Sequence, residues 1–259
     1  MEPTLEQVIT WAKQAGKIAL DGFLTDHTLG FKNLTDVVTE VDHACEKLLM
    51  GVILSRFPGH SILTEETGSV KGSEDHCWYI DPLDGTINYS HRLPVYCISV
   101  AYHAHEKLLL GVVYDPARDE CFSAERGKGA WLNGEPIRVS ECASLQKALL
   151  STGFPYHDAE KFEQNLRLFG HLTHTTQGVR RFGSAAIDIC YVACGRIDAY
   201  WEQEINAWDI AAGVLIVEEA GGKVTDLEGK NDYFKPPFAL VASAPGIQQE
   251  LLETILPFN

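Results

Sequence analysis

The chain has 259 residues, of which 45% are hydrophobic and 22% are charged, as is typical of a soluble globular protein. This length accommodates one large domain or two closely packed halves. The formal net charge of −15 disfavours binding to nucleic acid or anionic membranes, and no apolar run approaches the roughly 20 residues that span a bilayer. The negative net charge also repels a phosphorylated metabolite, unless bound cations reverse the local charge.

The first twenty residues, MEPTLEQVITWAKQAGKIAL, contain no basic leader, and charges interrupt their apolar residues. They are therefore not typical of a signal peptide, and we expect a cytoplasmic protein. The seven cysteines are scattered and include no CxxC pair. We expect reduced thiols rather than a structural zinc site.

The N-terminal part of the chain predicts two helices and a sheet. Apolar residues spaced by three and four indicate an amphipathic helix at the start, and a second helix is predicted near Thr39 with Asp42 and Glu46 among its polar residues. HSILTEETG predicts a short strand and a loop with Glu65 and Glu66. Residues 78–139 form short apolar runs between turn residues, which indicates a mainly antiparallel sheet.

After about residue 145 the predicted strands and helices alternate, which is typical of an α/β arrangement. SAAIDICYVACG and WDIAAGVLIVEEAGG are the two most apolar predicted helices. We expect one compact unit with an N-terminal half, residues 1–145, and a C-terminal half, residues 146–259.

Acidic residues concentrate at the ends of the predicted elements. Each has an ordinary explanation as a first-turn helix residue, an N-cap, a loop charge or a turn residue. Together they supply the oxygen ligands that Mg²⁺ prefers. The residues are Asp42, Glu65, Glu66, Asp81, Asp84 and Asp209.

The stretch IDPLDGTINY has the features of a metal and phosphate site. Its proline disfavours helix at Asp81, so we expect a tight turn that directs Asp81 and Asp84 to one point. Gly85 permits close approach of a ligand, and Thr86 adds a hydroxyl group. If these two residues open a helix, their N–H groups face an anion.

Haloacid dehalogenase-type phosphatases offer a competing interpretation, because they carry a DxDGT motif. Here two residues separate the acids rather than one, and the motif lies near residue 80 instead of near the N-terminus. Both differences disfavour an aspartyl-phosphate mechanism.

WYIDPLDGTINYSHRLP and WDIAAG…EEAGG resemble the two signature motifs of the inositol monophosphatase family, magnesium-dependent and lithium-sensitive phosphomonoesterases. KNLTDVVTEVD, LTEE and RRFGSAAIDICYVACGRIDAYWE are similar to further family segments, in family order, over most of residues 32–222. The resemblance implies a layered αβαβα sandwich of the sugar-phosphatase type. Its N-terminal sheet is expected to be mainly antiparallel and its C-terminal sheet mixed.

The resemblance also implies a role for individual residues. Asp42 and Thr86 would orient and deprotonate the attacking water, and Glu66 would support this catalytic pair without binding metal. The implied metal ligands are Glu65, Asp81, the Leu83 carbonyl, Asp84 and Asp209. The implied substrate contacts are Asp84, Gly85, Thr86, Gly183, Ser184, Ala185, Glu202 and Asp209.

The family further implies two to three Mg²⁺ ions per site, with Mn²⁺ or Ca²⁺ able to substitute in binding and Li⁺ inhibitory. It also implies a homodimer. A small phosphorylated metabolite is the expected partner, with no nucleic acid and no membrane.

The family's fold accommodates several specificities, for inositol phosphates, histidinol phosphate, fructose 1,6-bisphosphate and 3′-phosphoadenosine phosphates. Asn88 and Glu202 match the inositol pattern, and a carboxylate suits two vicinal hydroxyls, so we expect inositol 1-phosphate. Histidinol phosphate stays open, because Glu204 is an additional acid that either attracts a cationic substrate or is a surface charge. A regulatory scaffold in transcription is an alternative of another class, although a pure scaffold need not retain every acid of the site.

Overall fold

The computed structural model describes residues 2–25, 29–33, 36–156 and 158–258. Within these residues the chain forms seven α-helices. They are α1 (Leu5–Gly22), α2 (Glu40–Arg56), α3 (Thr86–Ser90), α4 (Ala159–Thr175), α5 (Ala185–Ala193), α6 (Ala207–Glu219) and α7 (Gln248–Ile255). No helix in the described ranges is both long and apolar enough to cross a bilayer.

The N-terminal half contains an eight-stranded sheet. Its strands in spatial order are β10 (Glu135–Pro136), β9 (Gly129–Leu132), β8 (Glu120–Glu125), β7 (Lys107–Asp115), β6 (Cys97–Ala104), β5 (Ser73–Asp84), β3 (His60–Thr64) and β4 (Gly68–Val70). All neighbours are antiparallel except β3 and β5. A separate hairpin of β1 (Leu29–Asn33) and β2 (Asp36–Thr39) leads into α2. The predicted, mainly antiparallel sheet is confirmed.

The C-terminal half contains a five-stranded mixed sheet, as predicted. Its strands in spatial order are β12 (Gly178–Arg180), β11 (Leu149–Thr152), β13 (Ala199–Gln203), β15 (Ala239–Ser243) and β14 (Lys223–Thr225). β11 runs parallel to both of its neighbours, whereas β15 is antiparallel to β13 and β14.

Three hydrophobic clusters hold five layers together. On the outside of the large sheet, Trp11 of α1 and Leu49 of α2 pack with buried sheet residues. Between the sheets, the apolar faces of α5 and α6 pack against both sheets. Leu168 of α4 and Leu251 of α7 cover the outer face of the small sheet. The predicted αβαβα sandwich is confirmed. Helices α5 and α6 share one core with both sheets. The division into halves at residue 145 stays a prediction.

Helix α2 differs from its prediction in one respect that matters for the site. It begins near Thr39 as expected, with Thr39 as N-cap. Asp42 and Glu46, however, are 0% and 3% exposed, although both were predicted to be among the polar residues of this helix. Four residues apart, they lie on one side of the helix, and that side is directed into the protein.

Candidate active site

The stretch that contains Asp81 and Asp84 is a bulged end of β5. Asp81 pairs with Ser99 and Asp84 with Cys97, so β5 advances three residues where β6 advances two. The expectation of a tight turn within this stretch is therefore wrong, because Asp81 and Asp84 both remain in β5. A bulge accommodates Pro82, which has no N–H to donate to the ladder, and it redirects side chains next to it.

The chain turns at Gly85, immediately after the bulge. Gly85 has a φ of 89°, and a Cβ there would lie 2.7 Å from the carbonyl oxygen of Val95. Any larger residue would be strained in its backbone and would collide with its neighbour. Helix α3 begins at Thr86 with Gly85 as its N-cap, so the condition that these two residues open a helix is met.

Thr86 and Asp42 meet through their side chains, although they are 44 positions apart in sequence. Thr86 Oγ1 lies 3.1 Å from Asp42 Oδ1 and 2.9 Å from the carbonyl oxygen of Leu83. A hydroxyl has one hydrogen, so it donates to only one of these oxygens at a time. The N–H and the hydroxyl of Thr39 both donate to the other oxygen of Asp42, which fixes this carboxylate.

Asp84 connects the two halves of the molecule. Its Oδ2 accepts a hydrogen bond of 2.6 Å from the Ser184 hydroxyl and one of 2.8 Å from the Ala186 N–H. Ser184 is the N-cap residue of α5, so the helix start is directed at the carboxylate. Gly183, Ser184 and Ala185 thus lie beside the end of β5, and the substrate contacts that the resemblance implies for them stay a prediction.

Asp209 reaches the same region from α6. The N-cap of this helix is Asn206, not Asp209, so the ordinary explanation of Asp209 as an N-cap is wrong. Asp209 Oδ2 accepts a hydrogen bond of 2.9 Å from the Asn206 N–H in a capping box, which fixes the carboxylate at the helix start.

The acids of this region repel one another. Burial raises the pKa of Asp81 well above its ordinary value, and the charges of Glu65, Asp84 and Asp209 raise it further. Burial and the charges of Asp84 and Glu65 likewise raise the pKa of Asp209. The pKa of Asp84 is also raised by burial, although its hydrogen bonds from Ser184 and Ala186 oppose the shift. The site thus concentrates negative charge that a cation would stabilise.

The donor set fits a hard divalent cation. It consists of carboxylates, together with the carbonyl of Leu83, and such oxygen ligands suit Mg²⁺. As the side chains stand, no three His, Cys, Asp or Glu residues in the described ranges enclose a metal position. One oxygen of each aspartate accepts a hydrogen bond from a backbone N–H. The donor is Leu83 for Asp81, Ala186 for Asp84 and Asn206 for Asp209. The carboxylates are therefore oriented individually and repel one another, an arrangement that binding of cations would relieve.

A polar cavity of about 250 Å³ adjoins these acids on the C-terminal side. Glu202 of β13 lies in it, and Tyr200 donates its hydroxyl to the Glu202 carboxylate. A Cβ on Gly153 would overlap this carboxylate, so a larger residue there would displace the Glu202 side chain from its present position. Burial raises the pKa of Glu202 to about 7, against the opposing influence of Tyr200 and Arg181.

Glu204 lies at the rim of the same cavity and forms an ion pair with Lys161 of α4, at 2.5 Å. Because the lysine offsets its charge, the arrangement favours the interpretation of Glu204 as a surface charge. It weakens the argument that this residue attracts a cationic substrate.

Three side chains around the site were not predicted from the sequence to belong to it. Arg181 donates a 3.0 Å hydrogen bond to the Tyr156 hydroxyl, and both line the cavity. Asp188 is 1% exposed and also lines it. The sequence offered one signal, for Asp188. It lies in the first turn of a predicted helix and is close in sequence to Gly183–Ala185.

Comparison with known proteins identifies relatives over the whole chain. The family model described as "Inositol monophosphatase family" matches residues 1–257. A Pasteurella multocida protein named Nus factor SuhB is 42% identical over 99% of this chain and 97% of its own length. A Synechocystis protein named inositol-1-monophosphatase is 52% identical over 73% of this chain and 67% of its own length.

Solved structures show the same similarity. The inositol monophosphatase from Anabaena (Nostoc) superposes with a TM-score of 0.87 at 40% identity, over 98% of this chain and 95% of the other. An IMPase/NADP phosphatase complexed with Mg²⁺ and phosphate superposes with a TM-score of 0.81 at 28% identity, over 96% and 93% of the two chains.

Proposed function

The chain belongs to the inositol monophosphatase family, and we propose that it hydrolyses inositol 1-phosphate to inositol and phosphate in a magnesium-dependent reaction. The observation that carries the proposal is the convergence of Asp81, Asp84 and Asp209, which come from two different halves of the fold, next to a polar cavity. The family is a Mg²⁺-dependent family of phosphomonoesterases, and the choice of ester is our own inference.

Glu65, Asp81, Asp84, Asp209 and the Leu83 carbonyl are proposed to hold two to three Mg²⁺ ions. Bound divalent cations would offset the repulsion between site and phosphate, activate water and stabilise the leaving oxygen. Mn²⁺ and Ca²⁺ are proposed to bind in place of Mg²⁺, and Li⁺ to inhibit.

Asp42 and Thr86 are proposed to orient the attacking water. When the Thr86 hydroxyl donates to Asp42, its lone pairs are left to accept a hydrogen from that water. Burial raises the pKa of Asp42, and this makes its carboxylate a better proton acceptor than an exposed one. Glu66 adds negative charge next to Asp42 and is proposed to support the pair.

The substrate is proposed to lie between α3 and the cavity. The N–H groups of Gly85 and Thr86 would donate to phosphate oxygens, and Gly183, Ser184 and Ala185 would line the ring side. Glu202 would accept hydrogen bonds from two ring hydroxyls, because a carboxylate has two acceptor oxygens. Asp84 and Asp209 would contact the substrate as well as hold the metal ions.

Phosphate release from three esters tests the proposal. With Mg²⁺ present we expect kcat/KM to be highest for inositol 1-phosphate, lower for histidinol phosphate and lower for fructose 1,6-bisphosphate. EDTA should abolish release, and added Mg²⁺ should restore it. A higher kcat/KM for another ester would replace the substrate, and release that is insensitive to EDTA would refute the metal-dependent reaction.

A second candidate function is protein binding in transcription, for which the specific observation is the whole-chain similarity to proteins named Nus factor SuhB. A stoichiometric complex with RNA polymerase or a ribosomal protein, together with no Mg²⁺-dependent phosphatase activity, would place this role first. We also propose that the protein is cytoplasmic and forms a homodimer, as implied by the family. Light scattering on the purified protein tests whether it is a dimer.

A further inference from the structure

Glu46 of α2 is a buried acid that the proposed reaction does not use. It is 3% exposed and lies one helical turn after Asp42. A buried carboxylate is costly unless hydrogen bonds or opposite charges compensate it, so its surroundings indicate what it stabilises.

Both oxygens of Glu46 accept hydrogen bonds from one short segment, residues 64–67. Oε2 accepts from the Thr64 hydroxyl at 2.7 Å and from the N–H groups of Glu66 and Thr67, each at 3.1 Å. Oε1 accepts from the Thr67 hydroxyl. This segment is the end of β3 and the turn to β4, so four donors converge on one side chain and compensate its charge.

The segment held in this way is the one that carries Glu65 and Glu66. Glu65 lies between Thr64, whose side chain is held, and Glu66, whose N–H is held, so its backbone is fixed on both sides. The electrostatic effect of Glu65 on Asp81 and Asp209 shows that it is close to the aspartates. The effect of Glu66 on Asp42 shows that the turn also faces the proposed water site.

The negative charge of Glu46 has both a cost and a use in this region. Glu65 and Glu66 belong to the segment that donates these hydrogen bonds. The carboxylate of Glu46 is a third acid in the same place and adds electrostatic repulsion. Only an anion, however, accepts four hydrogen bonds without donating any, and a glutamine would direct its NH₂ group at a donor.

We propose that Glu46 is a positioning residue that sets the geometry of Glu65 and so the affinity of the site for divalent cations. The assignment of Glu65 as a ligand rests on the proposed function. Helix α2 then has two roles on one face. Asp42 orients the water and Glu46, one turn later, holds the loop that completes the metal site.

The test compares Glu46→Gln with wild type and with Glu163→Gln, an exposed control on α4. Mn²⁺ binding is measured by calorimetry, and the Mg²⁺ concentration for half-maximal activity is measured separately from kcat at saturating Mg²⁺. We expect Glu46→Gln to weaken Mn²⁺ binding and raise the Mg²⁺ half-saturation by about 10–100-fold, the usual effect of removing a group that orients a ligand. At saturating Mg²⁺, kcat should recover most of its wild-type value, and Glu163→Gln should be unchanged.

Hydrogen exchange supplies a readout that does not depend on turnover. The amides of Glu66 and Thr67 should exchange faster in Glu46→Gln, while the amides of the β6–β7 ladder keep their protection. If Glu46→Gln does not fold, Thr67→Val keeps the carboxylate and removes one donor. It should weaken Mn²⁺ binding by about five-fold, as expected for one lost hydrogen bond.

The outcomes separate this proposal from the proposed function. Wild-type Mn²⁺ affinity in folded Glu46→Gln, or in Thr67→Val if the first variant does not fold, overturns the positioning role alone. If Glu46→Gln binds Mn²⁺ more weakly than wild type but wild type hydrolyses none of the three esters, the positioning role is supported and the proposed function is overturned. Wild-type protein that binds no Mn²⁺ overturns both.

Discussion

The Ser184 hydroxyl donates a 2.6 Å hydrogen bond to Oδ2 of Asp84, across 100 positions of sequence and between the two halves of the fold. Ser184 is 1% exposed, so water does not replace this bond easily. The Ala186 N–H donates to the same oxygen. The start of α5 therefore holds the aspartate at the end of β5, and the hydroxyl of Ser184 is directed at a proposed metal ligand.

We predict that Ser184→Ala acts through Asp84 more than through the substrate. Loss of a hydrogen bond to a charged group should raise the Mg²⁺ half-saturation by about 10–100-fold, whereas KM for inositol 1-phosphate at saturating Mg²⁺ should change by less. Steady-state kinetics over both concentrations separates the two effects. Ser55→Ala, at an exposed position on α2, is the control. A change confined to KM would return Ser184 to a direct substrate contact.

Asp84→Asn should fold and lose activity. The substitution preserves the size of the side chain and removes a charge from the proposed metal site. We expect kcat to fall by on the order of 10³-fold, in line with deletion of a key electrostatic group. Circular dichroism checks the fold and phosphate release checks the rate, with Asp21→Asn on the exposed face of α1 as control. Near-wild-type hydrolysis by Asp84→Asn would refute the assignment.

Local patterns in the sequence were sufficient to predict individual helices and strands of the fold. Apolar spacing predicted α1, and turn residues between short apolar runs predicted the antiparallel sheet, because both signals depend only on neighbouring residues. The family motifs then supplied the order of the layers. The candidate site was also accessible in this way, since Asp81, Asp84 and Thr86 lie within six residues of one another.

Other features depend on partners that are distant in the chain. The bulge at Pro82 requires knowledge of the register between β5 and β6, which no local pattern gives. Glu46 was predicted only to be among the polar residues of the second helix, and polar residues of an amphipathic helix usually lie opposite its apolar face. Its burial depends on donors some 20 residues later. The contact of Ser184 with Asp84 likewise exists only once both halves have folded.

The pKa of Glu202 predicts a pH-dependent affinity for a polyol substrate. Because burial raises this pKa to about 7, Glu202 changes charge near neutral pH. The deprotonated form accepts hydrogen bonds from hydroxyls more strongly, so KM for inositol 1-phosphate should fall as the pH rises through about 7. The ratio of KM values for wild type and Glu202→Gln across this range isolates the contribution of Glu202. A ratio that does not vary with pH would contradict the prediction.

The buried aspartates predict how the metal-free protein responds to pH. Burial raises the pKa of Asp81, Asp84 and Asp209 above the ordinary value of 3.8, and mutual repulsion adds to the shift for Asp81 and Asp209. Above that value the folded protein holds more protons than the unfolded chain, so the free energy of unfolding decreases with rising pH. The contribution of these groups is fully present below 3.8 and is lost as the pH rises through the raised pKa values.

Mg²⁺ should oppose this loss, because it binds the deprotonated carboxylates of the folded protein. The difference between Tm in Mg²⁺ and Tm in EDTA is therefore expected to increase across the pH range in which these raised groups titrate, which lies above 3.8. Asp209→Asn, which removes one of the three charges, should raise Tm in EDTA at the upper end of this range and reduce the difference. Thermal unfolding at several pH values measures both effects. A Mg²⁺ effect that does not change with pH above about pH 5 would show that the cation binds elsewhere, since exposed carboxylates are already ionised there.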